Sequence, residues 1–152
     1  MMYLLDTDTV ILMMRGASIT APKSEKQRER RETGLRILGA CRRQAMTGDV
    51  IALSAITISE LEYGACGADD PTAERARMQR VLSPFARFDY KATDAPRQYG
   101  VVRSALESKG RSIGPNDLLI AAHALALSAV LVTNNTKEFR RVRGLACENW
   151  AV

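Results

Sequence analysis

The 152-residue sequence has few of the side chains that most catalytic and structural metal sites use, with three cysteines and one histidine. Cys41, Cys66 and Cys147 are odd in number and widely spaced, without a CxxC pair, which fits neither a zinc site nor a disulfide framework. The single histidine excludes any mechanism that needs two. We expect His123 to be a packed helix residue, so the chemistry must come from other side chains.

Long apolar runs are also absent. The run at residues 10–14 is far shorter than the ~18 residues that a membrane span needs. Residues 1–5 carry no basic region and are too short for the apolar core of a secretory signal. We therefore expect no membrane association and a cytoplasmic location. The composition, 46% apolar and 26% charged, is typical of one globular domain, which we predict over residues 1–150.

Basic residues are in excess, and the formal net charge is +5. Segment 23–43 alone has eight basic and three acidic residues, which accounts for the whole excess. Apolar residues recur at helical spacing in its second half, so residues 23–46 are predicted to form a basic helical arm within the domain. Two interpretations stay open: a solvated helix face with Glu–Arg pairs, or an arm that contacts phosphates.

Short apolar runs alternate with helical stretches along the chain. Residues 3–5 form an apolar run that stops at Asp6, which is typical of an inner strand of a parallel sheet. Further strands are predicted at 50–54, 85–88, 130–132 and 145–150. Helices are predicted from residue 10 to an interruption at Gly16, at 57–65, 72–82 and 117–127, and between Asp94 and Gly110. This order predicts an α/β fold, a small central parallel sheet flanked by helices.

Three carboxylates, Asp6, Glu60 and Asp117, fall at predicted strand or helix edges. Each has a structural alternative: Asp6 as a helix cap, Glu60 in a capping box with Thr57, and Asp117 as a complement to the helix dipole. Ligands of open α/β sheets bind outside the carboxyl ends of the strands, where these acids can converge. Converging carboxylates repel one another unless a cation intervenes. Bound Mg²⁺ or Mn²⁺ can activate a water for phosphodiester hydrolysis without histidine or cysteine.

Four ordered segments resemble the PIN-domain ribonucleases, and most closely the VapC toxins of type II toxin–antitoxin systems. They are LLDT at 4–7, ISELEYGA at 58–65, IGPNDLLIAA at 113–122 and LVTNNTKEF at 131–139, and the ending at 143–150 is also similar. The resemblance implies a PIN-like domain with Mg²⁺-dependent endoribonuclease activity on cellular RNA. It also implies a homodimer, a VapB-type antitoxin as partner, and metal-site acids at Asp6, Glu60 and Asp117.

The sequence departs from the family pattern in three ways. Asn135 stands where the family often has a fourth Asp, and an amide can position a metal-bound water but brings no charge; Glu138 is close enough in sequence to substitute. Asp8 stands where the family commonly has Asn. Segment 23–43 is longer than expected, which leaves open whether it binds RNA, binds antitoxin or only lengthens a surface helix.

Two other functions stay open. Asp6 and Asp8 also match the start of haloacid-dehalogenase-type phosphatases, in which the first Asp is a nucleophile and the second a general acid. The later part of that pattern is missing, because no apolar strand ends in a pair of Asp residues. The other alternative is a catalytically inactive PIN-like module that binds RNA or protein, and the missing fourth acid is its main support.

Overall fold

The strands of the structure are β1 (Met2–Leu5), β2 (Val50–Ser54), β3 (Ala86–Phe88), β4 (Val130–Val132) and β5 (Cys147–Glu148). In a computed structural model that describes residues 1–152, they form one parallel sheet in the order β3-β2-β1-β4-β5. The flanking helices are α1 (Thr7–Ala17), α2 (Glu25–Met46), α3 (Ala55–Cys66), α4 (Pro71–Leu82), α5 (Ala95–Ser108), α6 (Pro115–Ala126) and α7 (Thr136–Phe139). The predicted α/β fold with a small parallel sheet is confirmed.

β1 lies at the centre of the sheet and is covered on both faces. Tyr3 and Leu5 belong to the core formed with α1 and α2, whereas Leu4 belongs to the core formed with α5 and α6. Leu4 and Leu5 have no exposed surface. Burying one such side chain stabilises the fold by roughly 1.5–3 kcal/mol. Burial on both faces explains why the strand is apolar throughout instead of alternating with polar residues.

The strand register brings the carboxyl ends of three strands to one edge of the sheet. Leu5 is paired with both Leu53 of β2 and Val132 of β4. The residue after each of these lies at the same edge, and the backbone N–H of Asp6 donates to the carbonyl of Val132 at 3.0 Å. α6 begins at this edge, because a short turn connects its other end to the start of β4.

α1 and α2 cross at a pair of glycines, Gly16 and Gly34. A Cβ on Gly34 would lie 2.6 Å from the Cα of Gly16, and a Cβ on Gly16 would lie 2.7 Å from the Cα of Gly34. The prediction that Gly16 interrupts the first helix was therefore wrong. Gly16 lies inside α1, and close packing of the two backbones, not helix termination, requires a residue without a side chain.

The structural alternative for Glu60, a capping box with Thr57, does not form in the structure. α3 begins at Ala55, because Ser54 at the end of β2 is the N-cap and its Oγ accepts from the N–H of Ile56 at 3.1 Å. Thr57 is therefore a buried residue of the first helical turn. This shift frees the Glu60 carboxylate from a capping role.

Other boundaries differ by a few residues. α1 begins at Thr7, not near residue 10, because Asp6 caps it. The last strand is only Cys147–Glu148 instead of 145–150.

The cysteines differ in exposure and all are free. Cys41 of α2 is buried among apolar side chains, and burial raises the pKa of its thiol to about 12. Cys147 is half-buried and Cys66 is exposed. None of the helices has both the length and the apolar character needed to cross a membrane.

Candidate active site

A polar cleft of about 250 Å³ lies at the carboxyl edge of the sheet. It is lined by residues from the start of α1, the second turn of α3 and the start of α6: Asp6, Thr7, Asp8, Glu60, Gly114, Pro115, Asn116 and Asp117. The structure therefore brings the three predicted acids together, and it adds Asp8 as a fourth.

Asp6 is both a helix cap and a residue of the cleft. Its side chain is buried, and its Oδ1 accepts from the N–H of Thr9 at 2.8 Å. Burial raises the pKa of Asp6, while hydrogen bonds from Thr133 and Thr9 lower it in part and the charge of Asp8 raises it further. Asp6 can therefore cap α1 and also belong to the functional site. The sequence alone presented these two roles as alternatives.

The carboxylate of Glu60 is held by Thr7. The Thr7 hydroxyl donates to Glu60 Oε1 at 2.6 Å, and its oxygen lies 3.3 Å from the buried hydroxyl of Thr57. Thr7 is the first residue of α1, two positions after the end of β1, so this contact connects the end of the central strand to α3. This contact could not be predicted from sequence spacing, and the only signal for it is the threonine immediately after Asp6.

Asp117 lies in the first turn of α6, and its pKa is raised to about 6. Burial is the largest cause, followed by the negative charges of Asp6, Glu138, Asp8 and Glu60. Gly114 leaves room for this carboxylate, since a Cβ on Gly114 would meet Asp117 Oδ2 at 3.3 Å. The carboxylates of the cleft thus repel one another, and a bound cation would relieve the repulsion.

The predicted site residue Asn135 lies beside the cleft and does not line it. Its Nδ2 donates to Glu138 Oε2 at 2.9 Å, and its backbone N–H donates to the Thr133 hydroxyl at 2.9 Å. Glu138 does not line the cleft either, but its charge contributes to the raised pKa of Asp117. Asn135 therefore positions a carboxylate whose field reaches the cleft.

His123 does not line the cleft. It is buried in α6, with its Nδ1 2.8 Å from the Ser54 hydroxyl and its ring packed edge-on against Tyr90. Burial lowers its pKa, which favours the neutral imidazole. The prediction of a packed helix residue is confirmed.

The ligand atoms that the cleft offers suit a hard divalent cation, because they are mainly carboxylate and hydroxyl oxygens. No three acidic, histidine or cysteine side chains are close enough to hold an ion by themselves in the structure. The carboxylates therefore lie around the cleft but do not form a complete coordination shell for an ion. Mg²⁺ commonly keeps several waters and binds through one or two carboxylates, so this arrangement fits the ion.

The fold and the acidic edge of the sheet agree with comparisons to known proteins. A profile of the PIN domain matches residues 3–145. The chain therefore belongs to the PIN-domain family. This assignment excludes the phosphatase alternative.

Curated relatives narrow the assignment to the VapC proteins. The chain is 43% identical over 102 residues to ribonuclease VapC2 of Rickettsia felis, which covers 67% of this chain and 75% of that protein. It is 33% identical over 150 residues to ribonuclease VapC1 of Haemophilus influenzae, which covers 99% of this chain and 98% of that protein. A relative from Shigella flexneri, 39% identical over 66% of this chain and 76% of that protein, is named tRNA(fMet)-specific endonuclease VapC.

Solved structures support the same assignment to the VapC proteins. One chain in the structure of VapBC2 from Rickettsia felis matches this chain with a TM-score of 0.82 and 34% identity, over 99% of both chains. In that structure VapBC2 is bound to a DNA fragment from its promoter. The structure of VapBC-1 from nontypeable Haemophilus influenzae matches with a TM-score of 0.78 and 32% identity, over 100% of both chains.

Proposed function

We propose that this chain is a Mg²⁺-dependent endoribonuclease toxin that cleaves cellular RNA and is neutralised by a VapB-type antitoxin. One observation carries the proposal: Asp6, Glu60 and Asp117, from three separate segments, line one polar cleft. Carboxylates that repel one another, in a cleft with no basic side chain among its lining residues, favour a bound cation. A module that only binds RNA would gain nothing from them, because they repel phosphates.

Asp6, Glu60 and Asp117 would hold the ion, one or two of them directly and the rest through its bound waters. Mg²⁺ would supply an activated water and charge stabilisation at a phosphoryl oxygen. Mn²⁺ suits the same oxygen ligands, and PIN-domain nucleases in general depend on divalent metals. The chain's own contribution is preorganisation. The N–H of Thr9 and the hydroxyl of Thr7 fix two carboxylates before RNA binds, which reduces reorganisation during the reaction.

The names of the relatives and the matched structures support the proposed substrate and partners. Ribonuclease names support RNA as the substrate, and the matched structures from Rickettsia felis and Haemophilus influenzae are VapBC toxin–antitoxin complexes, the first of them bound to DNA. We propose that this chain likewise binds a VapB-type antitoxin, forms a homodimer and acts in the cytoplasm.

The inactive-module alternative rests on Asn135, which replaces a possible fourth acid and lies outside the cleft. The carboxylate of Glu138, held by Asn135, opposes it, because its charge still acts on Asp117. A nuclease therefore remains the better proposal.

The test is cleavage of labelled total RNA by the purified protein in EDTA, Mg²⁺ or Mn²⁺, alongside Asp117→Asn. We expect internal cleavage only with metal, and none by the variant. A phosphate monoester should not be turned over. RNA binding without cleavage, by a folded wild-type protein in every metal tested, would contradict the proposal and favour the inactive module.

A further inference from the structure

A second polar cavity, of about 560 Å³, lies between the loop that joins α5 to α6 and the segment around α7. It is lined by Gly110, Arg111, Ser112, Lys137, Arg140 and Arg141. No acidic and no apolar side chain lines it. The cavity therefore has nothing on which a base or an apolar ligand could pack, and its chemistry suits a hydrated anion.

The four basic side chains of this cavity have no carboxylate partner. The ion pairs of the structure involve other groups, including Arg75, Arg77 and Arg103 on the outer helices. Uncompensated positive charge in a concave surface attracts anions, and the guanidinium fork matches phosphate oxygens in particular.

The cavity is held by ordered backbone on both sides. Gly110 has φ +62°, which lets the N–H of Arg111 return to the carbonyl of Leu106 at 2.9 Å and ends α5 with a Schellman motif. On the other side, Phe139 and Val142 are buried in the core and fix the turn that carries Arg140 and Arg141. The basic groups therefore project from fixed positions.

The cavity is next to the acidic cleft. Glu138, whose charge acts on Asp117, lies between Lys137 and Arg140 in sequence. The same loop lines both sites, because Ser112 lines the cavity and Gly114, two residues later, lines the cleft. An RNA strand that enters the acidic cleft meets like charge, so it needs cations close by.

We propose that this cavity holds backbone phosphates of the RNA strand adjacent to the phosphodiester that is cut. The inference rests on the proposed ribonuclease function and adds the location of the flanking subsite. Phosphate contacts position the strand without reading its bases, so this subsite sets affinity and register but not sequence preference.

The test uses Arg140→Gln/Arg141→Gln. The matched control is Arg87→Gln/Arg97→Gln, which removes the same charge from exposed positions outside the cavity. Binding of a labelled single-stranded RNA is measured against salt in an Asp117→Asn background, and thermal unfolding verifies the fold. The cavity variant should bind more weakly, and its log–log salt slope should fall by about 0.7 for each lost contact, or about 1.4 for two. In the otherwise wild-type chain, KM for RNA should rise at least tenfold with kcat changed little, whereas the control should match wild type in every measurement.

The outcomes separate the two proposals. Cleavage by the wild type, with equal slopes and equal KM in cavity and control variants, would overturn the subsite and leave the nuclease function in place. No cleavage by the wild type, together with the expected slope difference, would support the phosphate subsite and overturn the nuclease function. A polyglutamate competitor that displaces RNA as effectively as an RNA of equal charge would overturn the subsite in favour of a site for an acidic protein segment.

Discussion

The acidic cleft and helix α2 each carry many charged side chains, and the two regions differ in whether those side chains have bonding partners. In the cleft, four carboxylates face one space with no basic side chain among the lining residues, and the pKa of Asp117 is raised to about 6. Along α2, several arginines have partners: Arg28 pairs with Glu25 at 3.1 Å, and Arg31 and Arg36 donate to carbonyls.

The difference shows that a high density of charge in the sequence does not by itself identify a functional site. The exposed ion pair of α2, between Arg28 and Glu25, contributes about 0–1 kcal/mol and leaves neither of these two groups unpaired. The carboxylates of the cleft have no basic side chain among the lining residues to neutralise them, which favours the binding of a cation. We therefore expect substitutions in the cleft to change activity with little effect on stability, and substitutions in α2 to do the reverse.

The largest effect is expected for Asp6→Asn and Asp117→Asn. Each should reduce metal-dependent RNA cleavage by ~10²-fold or more, the scale seen when one preorganised electrostatic group is removed. Asn at position 6 can still cap α1, so the fold should be unchanged in circular dichroism. The matched control is Asp70→Asn, because Asp70 caps α4 through the N–H of Ala73 at 3.0 Å and lies outside the cleft. Full activity in either folded cleft variant would end the metal-site proposal.

A smaller loss is expected for Asn135→Ala, less than about 100-fold, because Asn135 orients Glu138, a carboxylate whose charge reaches Asp117 without lining the cleft. Asn135 acts on the cleft only through Glu138, so it should be less damaging than Asp117→Ala. Single-turnover cleavage rates of the two variants would establish the order. If Asn135→Ala were the more damaging, Asn135 would have to contact RNA or metal directly.

The third effect is a pH dependence of stability. Folding raises the pKa of Asp117 from 3.8 to about 6, so the folded protein binds more protons than the unfolded chain in that interval. The contribution of Asp117 to stability without metal should therefore fall as pH rises from about 4 to about 6. Mg²⁺ binds the ionised carboxylate, so its stabilising effect should grow over the same interval. Thermal unfolding from about pH 4.5 to about 7.5, in EDTA and in Mg²⁺, measures both trends.

In this experiment, Asp117→Asn is the control, and it should show a weaker pH dependence of the Mg²⁺ effect. A rise in Tm with Mg²⁺ that is the same at every pH, in the wild type, would show that Asp117 does not bind the ion.

The fourth prediction tests α2. Arg36→Gln should lower the free energy of unfolding by about 1–2 kcal/mol, because it removes a charged hydrogen bond of 2.6 Å to the Ala151 carbonyl. Its cleavage rate should not change. Neutralising Arg30, Arg42 and Arg43 should leave the salt slope of RNA binding unchanged if α2 is a solvated face. A loss of about 0.7 per residue would instead show that α2 contacts phosphates.

The smallest effect is expected for Asp8→Asn. Asp8 is an exposed residue of the first turn of α1, and asparagine preserves its size while removing one negative charge. Activity should stay within about tenfold of wild type, or ~1.4 kcal/mol of barrier. A larger loss, measured with the same RNA and at saturating Mg²⁺, would make Asp8 a functional acid of the cleft.

Much of the fold could be predicted from the sequence, because an apolar run such as residues 3–5 must be buried and fits an inner strand of a parallel sheet. The convergence of Asp6 and Asp117 followed from the general rule that carboxyl ends of parallel strands share one edge. The role of Gly16 could not be predicted, since it depends on Gly34 of another helix. The basic cavity could not be predicted either, because its two halves are 25 residues apart in the sequence.

The buried thiol of Cys41 is a natural probe of how firmly α2 is attached to the sheet. Alkylating reagents need an accessible thiolate, so Cys41 can react only after α2 has opened. The exposed Cys66 supplies an internal reference for reagent activity in the same molecule. The ratio of the two labelling rates, read from peptide masses, would therefore report the opening equilibrium of the arm without any substitution.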